Sequence, residues 1–474
     1  MTQPWQMTAT DALAAMRARD LSPLELLESV ERRADEVEPV VNALCERRRV
    51  EARAAAEASA ARFARGGPIR ALEGLPLAMK EEVPVVGWRM RYGSLAVDEV
   101  AEGTAPIAER ILKAGAVVHA RTTTPEFSCV GYTHSKLWGV TRNPWNASVA
   151  VGGSSGGSGA SLASGSSLLA SGSDIGGSIR IPASINGVVG FKPPHGRVPT
   201  GQPFNLDRYC HDGPLARTVA DCALFENAIA GPHPSDVTSL RPKLRIPAEL
   251  RGIEGWRIGL SVDLGCWDVD PEVEANTRAA AAALEEAGAI VEEVSIPWTI
   301  EHVIGTARRH FAAIFGAEIS GAVDAFGDVL NDYTLAWATE AQALMSEPRF
   351  FLTGLEGEQA MWEPIGNLLK RYRAIVCPTW AVTGIEAGDS VLGTLFEGGG
   401  PNDRQFTFYM TSPFNVLSPC PVLAVPSGVA SNGVPTGLQI VGRTFDDVSA
   451  FRVGAALERM RPWAGVVREV TPFP

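Results

Sequence analysis

The 474-residue sequence predicts an α/β protein with a largely buried β-sheet. Two observations carry that expectation. Helix-patterned segments alternate with short apolar runs along much of the chain, and those runs are apolar without alternation, as strands covered on both faces are. No Pro/Ser-rich linker separates clean halves, so the expected organisation is one domain over residues 1–474.

The elements follow in order. "LSPLELLESVERRADEVEP" reads as a helix with its own start signal: Ser22 caps, Pro23 suits the first turn and Glu25 completes a capping box. Leu27, Val30, Ala34 and Val37 share one face, and Pro39 is expected to end the helix. "EARAAAEASAARFARGG" is a second helix, stopped at Gly66 and Gly67. "LPLAM", before Lys80, is a short buried strand. "PIAERILKAGAVVHAR" reads as helix, stop at Gly115, then strand, and "PEVEANTRAAAAALEEAGAIVEEVSIP" repeats the plan with its stop at Gly288. "YRAIVCP", "PVLAVPS" and "GLQIVG" are further buried strands, and "DVSAFRVGAALERM" is a late helix. The stretch from about 240 to 400, its second half above all, is expected to form a variable helical cap or insertion over the sheet.

Composition narrows the function. The net charge is −12, from 42 Lys plus Arg against 54 Asp plus Glu, with no long run of one sign. That is poor material for a phosphate backbone, so no nucleic-acid partner is expected. No stretch approaches the roughly 20 apolar residues of a membrane helix. The N-terminus shows no basic start followed by an apolar run, so a cytoplasmic protein is expected. Seven scattered cysteines form no CxxC pair or zinc-spaced cluster; free thiols and no metal are expected.

The chemistry is sought in "VGGSSGGSGASLASGSSLLASGSDIGGSIRIPAS", residues 151–184. A flexible linker would have this composition. It would not lie between apolar, mixed segments or carry Leu162, Leu168, Leu169 and Ile175. A phosphate loop needs a lysine directly after its glycines, and here the nearest downstream is Lys192. "GGSSG" fits the G-x-S-x-G serine turn, which requires a later histidine; only His302 and His310 are candidates in the second half of the chain.

A fourth reading takes in more of the chain. "GLPLAMK" ending at Lys80, "GGSSGGS" around Ser154 and "GSDIGGSIRIPAS" around Ser178 together resemble the amidase signature family of serine hydrolases. "TRNPWN", "GVVGFKP", "RTTTPEF", "GPLARTVAD" and "SPFNVLSPCPVLAVPSG" extend the likeness over about residues 8–230 and 370–460, with the middle poorly matched. The resemblance implies a large mixed sheet flanked by helices on both faces. It also implies a triad of Ser178 as nucleophile, Ser154 as bridging serine after a cis peptide bond, and Lys80 as base. It implies hydrolysis of a carboxamide through an acyl-enzyme without cofactor, on a small-molecule amide (aryl or alkyl, cyclic or oligomeric) or a carbamate. A homodimer is compatible with it. Two rivals stand beside it: an amidotransferase subunit that frees ammonia from glutamine for a partner, and a non-catalytic binding protein on the same fold.

Physical chemistry gives each residue a task. A serine hydroxyl is a poor nucleophile at neutral pH and needs a base. A free lysine has a pKa of about 10.4, so its neutral form costs roughly 4.6 kcal/mol at pH 7, and burial against an apolar wall reduces that. Ser154, both donor and acceptor, can relay a proton. The amides of Ile175, Gly176, Gly177 and Ser178 are candidates for an oxyanion hole, at about 3–4 kcal/mol per key donor. Asp174 and Arg180 flank that turn and are expected to pair and hold it. Ser155 and Ser158 are expected to cap the following helix. The resemblance also makes Ser128 a candidate substrate contact, with Cys129 beside it as a candidate wall of a pocket expected to be mostly apolar. One departure stands out: the family usually places Asp after its lysine, and this chain has Glu81 and Glu82.

Overall fold

The computed structural model describes residues 3–395, 399–463 and 470. Its frame is one 11-stranded sheet. In chain order the strands are β1 (Leu44–Arg47), β2 (Pro76–Lys80), β3 (Val117–Thr122), β4 (Leu169–Asp174), β5 (Val189–Lys192), β6 (His211–Ala216), β7 (Arg257–Leu260), β8 (Ile290–Glu293), β9 (Ala374–Pro378), β10 (Val422–Val429) and β11 (Pro435–Gly442). Across the sheet they run β1-β3-β2-β4-β6-β5-β10-β11-β9-β7-β8. The centre is antiparallel, while β3/β2/β4 and β9/β7/β8 pair in parallel, so the sheet is mixed.

Alternate residues along a strand point to opposite faces, and here both faces are dry. On β9, Ala374 and Val376 enter one apolar layer while Ile375 and Cys377 enter another. The first layer is closed by helices Ala9–Ala18, Pro106–Lys113, Val219–Ile229, Pro271–Glu286 and Asp447–Met460. The second is closed by Ile300–Phe311, Asp332–Met345 and Phe350–Arg371. On β2, Leu77 and Met79 belong to the first layer, so the alternation turns Ala78 and Lys80 to the opposite face.

Most local expectations hold, and three need correction. The helix that starts at Pro23 has its full capping box, but it runs through Pro39 to Val41. Pro39 sits in the last turn, where it forfeits a single hydrogen bond. Asn42 then takes the left-handed cap, and the Glu38 carboxylate accepts from the amides of Ala43 and Leu44 at 2.8 and 2.9 Å, tying down the exit. Secondly, the stretch from 240 to 400 is not all cap: β7, β8 and the helix Pro271–Glu286 between them complete the sheet edge, and β9 lies inside the sheet. Only the run from Ile300 to Arg371 is helical without contributing a strand. Thirdly, neither Ser155 nor Ser158 caps the helix Gly156–Ser164. That helix is buried throughout, and both hydroxyls bond neighbouring strands instead, as described below. Among the described residues no helix is long and apolar enough to cross a membrane.

Candidate active site

Lys80 ends β2 wholly buried, and its ammonium is ringed by three acceptors. Nζ lies 2.7 Å from Ser154 Oγ, 2.9 Å from Ser173 Oγ and 3.0 Å from Glu82 Oε1. Ser171, two residues before Ser173 on β4, accepts from the Lys80 amide at 3.1 Å, so one strand fixes both ends of the lysine. Glu82 in turn accepts hydrogen bonds from the hydroxyls of Ser173 and Ser128. Burial opposes its charge, but Lys80 and the two hydroxyls outweigh that and hold the carboxyl below its usual range.

Ser154 follows a cis peptide bond from Gly153. The loop carrying it is locked to the loop carrying Ser178, since the Ser155 amide donates to the Ser178 carbonyl at 3.2 Å. The Ser155 hydroxyl binds both backbone groups of Ser173 at 3.3 Å, and Ser158 donates to the Ser171 carbonyl at 2.8 Å. These serines stitch helix to strand. The structure therefore brings Lys80 and Ser154 into contact and sets Ser178 on the adjoining loop; among the described residues no hydrogen bond joins the Ser154 and Ser178 hydroxyls.

The turn from Ile175 to Ser178 rests on a buried polar scaffold. Arg180 is fully buried and grips Asp174 with two bonds of 2.9 Å, and reaches the Thr411 carbonyl, Gln439 Oε1 and Asn415 Oδ1 at 2.6–2.9 Å. Asn415 also donates to the Asp174 carboxylate at 2.8 Å. Burial works against the Asp174 charge, yet Arg180 and Asn415 prevail and hold it well below the carboxylate range. Gly177 has φ +131°, and a Cβ there would lie 2.0 Å from Thr411 Oγ1, so no larger residue fits this turn. Thr411 donates to the Gly176 carbonyl at 2.6 Å, which turns the peptide groups that follow. Among the described residues no protein acceptor meets the amides of Gly176, Gly177 and Ser178. Arg180→Ala leaves Asp174 buried without its cation and is expected to destabilise the fold by about 3–5 kcal/mol in urea titrations at pH 7. Because the Asp174 pKa is lowered by folding, its contribution is present above its unfolded value near 3.9 and lost as pH falls through the folded one. The deficit of the variant therefore shrinks in acid.

Two cavities meet here. Ser128, Ile175 and Phe315 line both. The smaller, of about 340 Å³, holds Ser178 and Cys129 among Phe311, Trp337, Phe406 and Tyr409. The larger, of about 960 Å³ including its open mouth, holds Ser154 and Ser173. The expectation of a mostly apolar pocket fits the first. It fits the second too, whose lining is mostly apolar although Glu82, Asp212 and Glu318 stand on its walls. Burial, reinforced by the charge of Glu82, pushes the Asp212 carboxyl up to about 7. Ser128 sits in the left-handed region (φ 54°), as does Phe127 (φ 52°), in the turn that aims it at Glu82. The helical cap reaches the same turn: Trp337 Nε1 donates to the Cys129 carbonyl at 2.8 Å and the Glu126 amide to Tyr333 at 3.0 Å.

The histidine required by the G-x-S-x-G reading is not at hand. His310 lies against Asp207 at 2.7 Å and stacks on Tyr209, and His302 meets the Gly357 carbonyl. Sequence reasoning missed Ser173 and Thr411 altogether and recorded Glu82 only as an oddity. Ser171 and Ser173, alternate residues on one strand, were the available signal for the former; nothing local announces Thr411, which arrives from 233 positions beyond Ser178 (411 − 178).

An amide-hydrolysing class is what this fold and site define, and comparison with known proteins places the chain within it. A family model described as Amidase matches residues 25–450, the middle of the chain included. The protein belongs to the amidase family, the amidase signature enzymes. It is 33% identical over 472 residues to an acylamidase of Rhodococcus erythropolis, covering 97% of this chain and 96% of that one. It is 31% identical over 478 residues to a glutamyl-tRNA(Gln) amidotransferase subunit from Thermosynechococcus vestitus, covering 94% and 96%. Among solved structures it is similar to a bacterial aryl acylamidase of the amidase signature family, at TM-score 0.89 and 28% identity with 97% of each chain covered. It is also similar to a 6-aminohexanoate cyclic dimer hydrolase in complex with substrate, at TM-score 0.84 and 28% identity, covering 97% of this chain and 98% of the other.

Proposed function

We propose that the protein is a serine acylamidase that cleaves a small-molecule amide through an acyl-enzyme on Ser178. Ser154 relays the nucleophile's proton to Lys80. The observation that carries this is the 2.7 Å contact between the buried Lys80 amine and Ser154, on a loop bonded to that of Ser178. Ser178 attacks the carbonyl carbon, and negative charge builds on the oxygen beside the amides of Ile175, Gly176, Gly177 and Ser178. The proton then returns along the same route to the departing nitrogen, the C–N bond breaks, and water repeats the sequence to free the acid. The scaffold of Asp174, Arg180 and Ser155 keeps the turn in shape while charge develops.

The aromatic cavity around Ser178 supports an aryl or apolar group on one side of the scissile bond, with Ser128 and Cys129 on its wall. That lining favours an acylamidase over glutamine-dependent ammonia release, because the polar, charged head of glutamine gains little among Phe311, Trp337 and Phe406. Seven unpaired cysteines support work in a reducing compartment.

The test is a panel of anilides, primary amides, lactams, carbamates and glutamine, assayed with wild type and Ser178→Ala. Anilides or other arylamides are expected to turn over fastest, with glutamine near background. Ammonia release from glutamine as the dominant activity overturns the acylamidase reading.

A further inference from the structure

We propose that Glu82 receives the proton that Lys80 must shed before it can act as a base. The inference rests on the reading of Lys80 as base and names a residue that the triad does not include.

The count of donors leads there. An ammonium has three N–H bonds and no lone pair. Lys80 donates hydrogen bonds to Ser154 and Ser173, and its third neighbour is the Glu82 carboxylate, an ion-pair partner at 3.0 Å, so as an ammonium it is committed to these three groups. In that state it cannot take a proton from Ser154. One of its own must leave first. Of these three neighbours two are hydroxyls, and the third is the carboxylate, the only ordinary base in contact among the described residues. Ser173 also donates to Glu82, so its hydroxyl must accept from Lys80 and offers a second, hydroxyl-bridged path to the same carboxylate.

The step balances. A proton moves from Nζ to Oε1 across 3.0 Å, turning an ammonium–carboxylate pair into an amine and a carboxylic acid with no exchange with solvent. The freed lone pair then accepts the proton of Ser154 as Ser154 takes that of Ser178. When the tetrahedral species collapses, Lys80 returns the proton through Ser154 to the leaving nitrogen.

What drives the first transfer is the cleft. The Glu82 side chain is 17% exposed and lines the larger cavity, so the charged pair keeps part of its hydration only while that cavity is open. A substrate that fills the cavity removes this water, and an ion pair in a dry site loses ground to its neutral form. Groups on the surrounding elements push the same way. Asp212 on β6, Glu318 on the helix Ala317–Phe326 and the neighbouring Glu81 each feel the Glu82 charge as repulsion, as does the phenol of Tyr92. Lys80 is the cation in contact with Glu82, against those like charges. The proton-store role also accounts for the side-chain network of Ser128 and Ser173, which holds both oxygens of Glu82 in place.

The test is the pH profile of kcat and kcat/KM for wild type, Glu82→Gln and Glu82→Asp on one anilide, with Ser178→Ala as control. Glu82→Gln keeps the shape and cannot take the proton. Its kcat is expected to fall about 100-fold at pH 7, and the deficit to shrink steadily toward pH 10 as solvent hydroxide takes over the task. Glu82→Asp keeps the base and is expected to retain the wild-type profile shape at reduced rate. Should Glu82→Gln fail to fold, by its thermal melt, the aspartate variant decides: an unaltered shape upholds the proposal and a new alkaline-rising limb overturns it. An undiminished kcat in Glu82→Gln, or a loss equal at every pH, also overturns it. An active Ser178→Ala would instead remove the nucleophile assignment, a separate failure.

Discussion

Ser178→Ala is expected to abolish amide hydrolysis, lowering kcat by about 10⁴-fold or more, while substrate still binds. The reason is chemical: alanine removes the one hydroxyl in the aromatic cavity that is flanked by free backbone amides, so no ester can form. The fold should not notice. Ser178 is 6% exposed and its hydroxyl carries none of the loop's contacts; its carbonyl, which does, is backbone. Thermal melts should therefore coincide with wild type, and equilibrium dialysis with a slow anilide should return a similar affinity. Full activity in a folded Ser178→Ala protein would end the assignment.

Lys80→Met should be as damaging to turnover and, unlike the first change, costly to the fold. Methionine has similar length and no charge or donor. On the proposed mechanism the proton relay loses its terminus, for an expected loss of about 10³-fold or more. The variant also strands the Glu82 carboxylate in a buried site without its cation, a change that costs about 3–5 kcal/mol when a partner is deleted from a buried pair. The pH dependence separates the two effects. Lys80 lowers the Glu82 pKa, so without it the carboxyl is left to burial, which raises it. A carboxyl whose folded pKa lies above its unfolded value loses stability as pH rises between the two. The stability deficit of Lys80→Met should thus be small near pH 4 and grow toward pH 8 in urea titrations. Adding Glu82→Gln should recover most of the stability and none of the activity. A deficit independent of pH would show that the cost lies in packing rather than in the stranded charge.

Much of this site was legible in the chain because its strongest constraints are local. Lys80 ends an uninterrupted apolar strand, and Gly152 to Gly159 leave no room for side chains where Ser154 meets its neighbours: a Cβ at Gly153 would sit 2.5 Å from the Tyr132 carbonyl. Such close approach writes itself into composition. The pairing of Asp174 with Arg180 was readable for the same reason, being six residues apart on one turn. What was not legible depends on tertiary convergence. Thr411, Asn415 and Gln439 reach the Asp174–Arg180 scaffold from the far half of the chain, and no periodicity marks them. The strand β7 was missed because a four-residue strand ahead of a long helix carries little pattern of its own, whereas β8 was read as a strand yet counted with the cap. Ser155 and Ser158 went astray because a serine before a helix is a cap by default, and only the packed sheet offers it better partners. Glu82 was visible as a residue out of place; its pairing with Lys80 and its bonds to Ser128 and Ser173 needed the structure.

The most direct measurement is to trap the acyl-enzyme. Wild type mixed with an activated aryl ester or a slow anilide, quenched in acid during turnover and mapped by peptide mass spectrometry, should carry one acyl group on the hydroxyl of Ser178. Turnover with the acyl group on Ser154, or with no covalent adduct at any point of the time course while Ser178→Ala remains active, would contradict a Ser178 nucleophile driven by the Lys80–Ser154 pair.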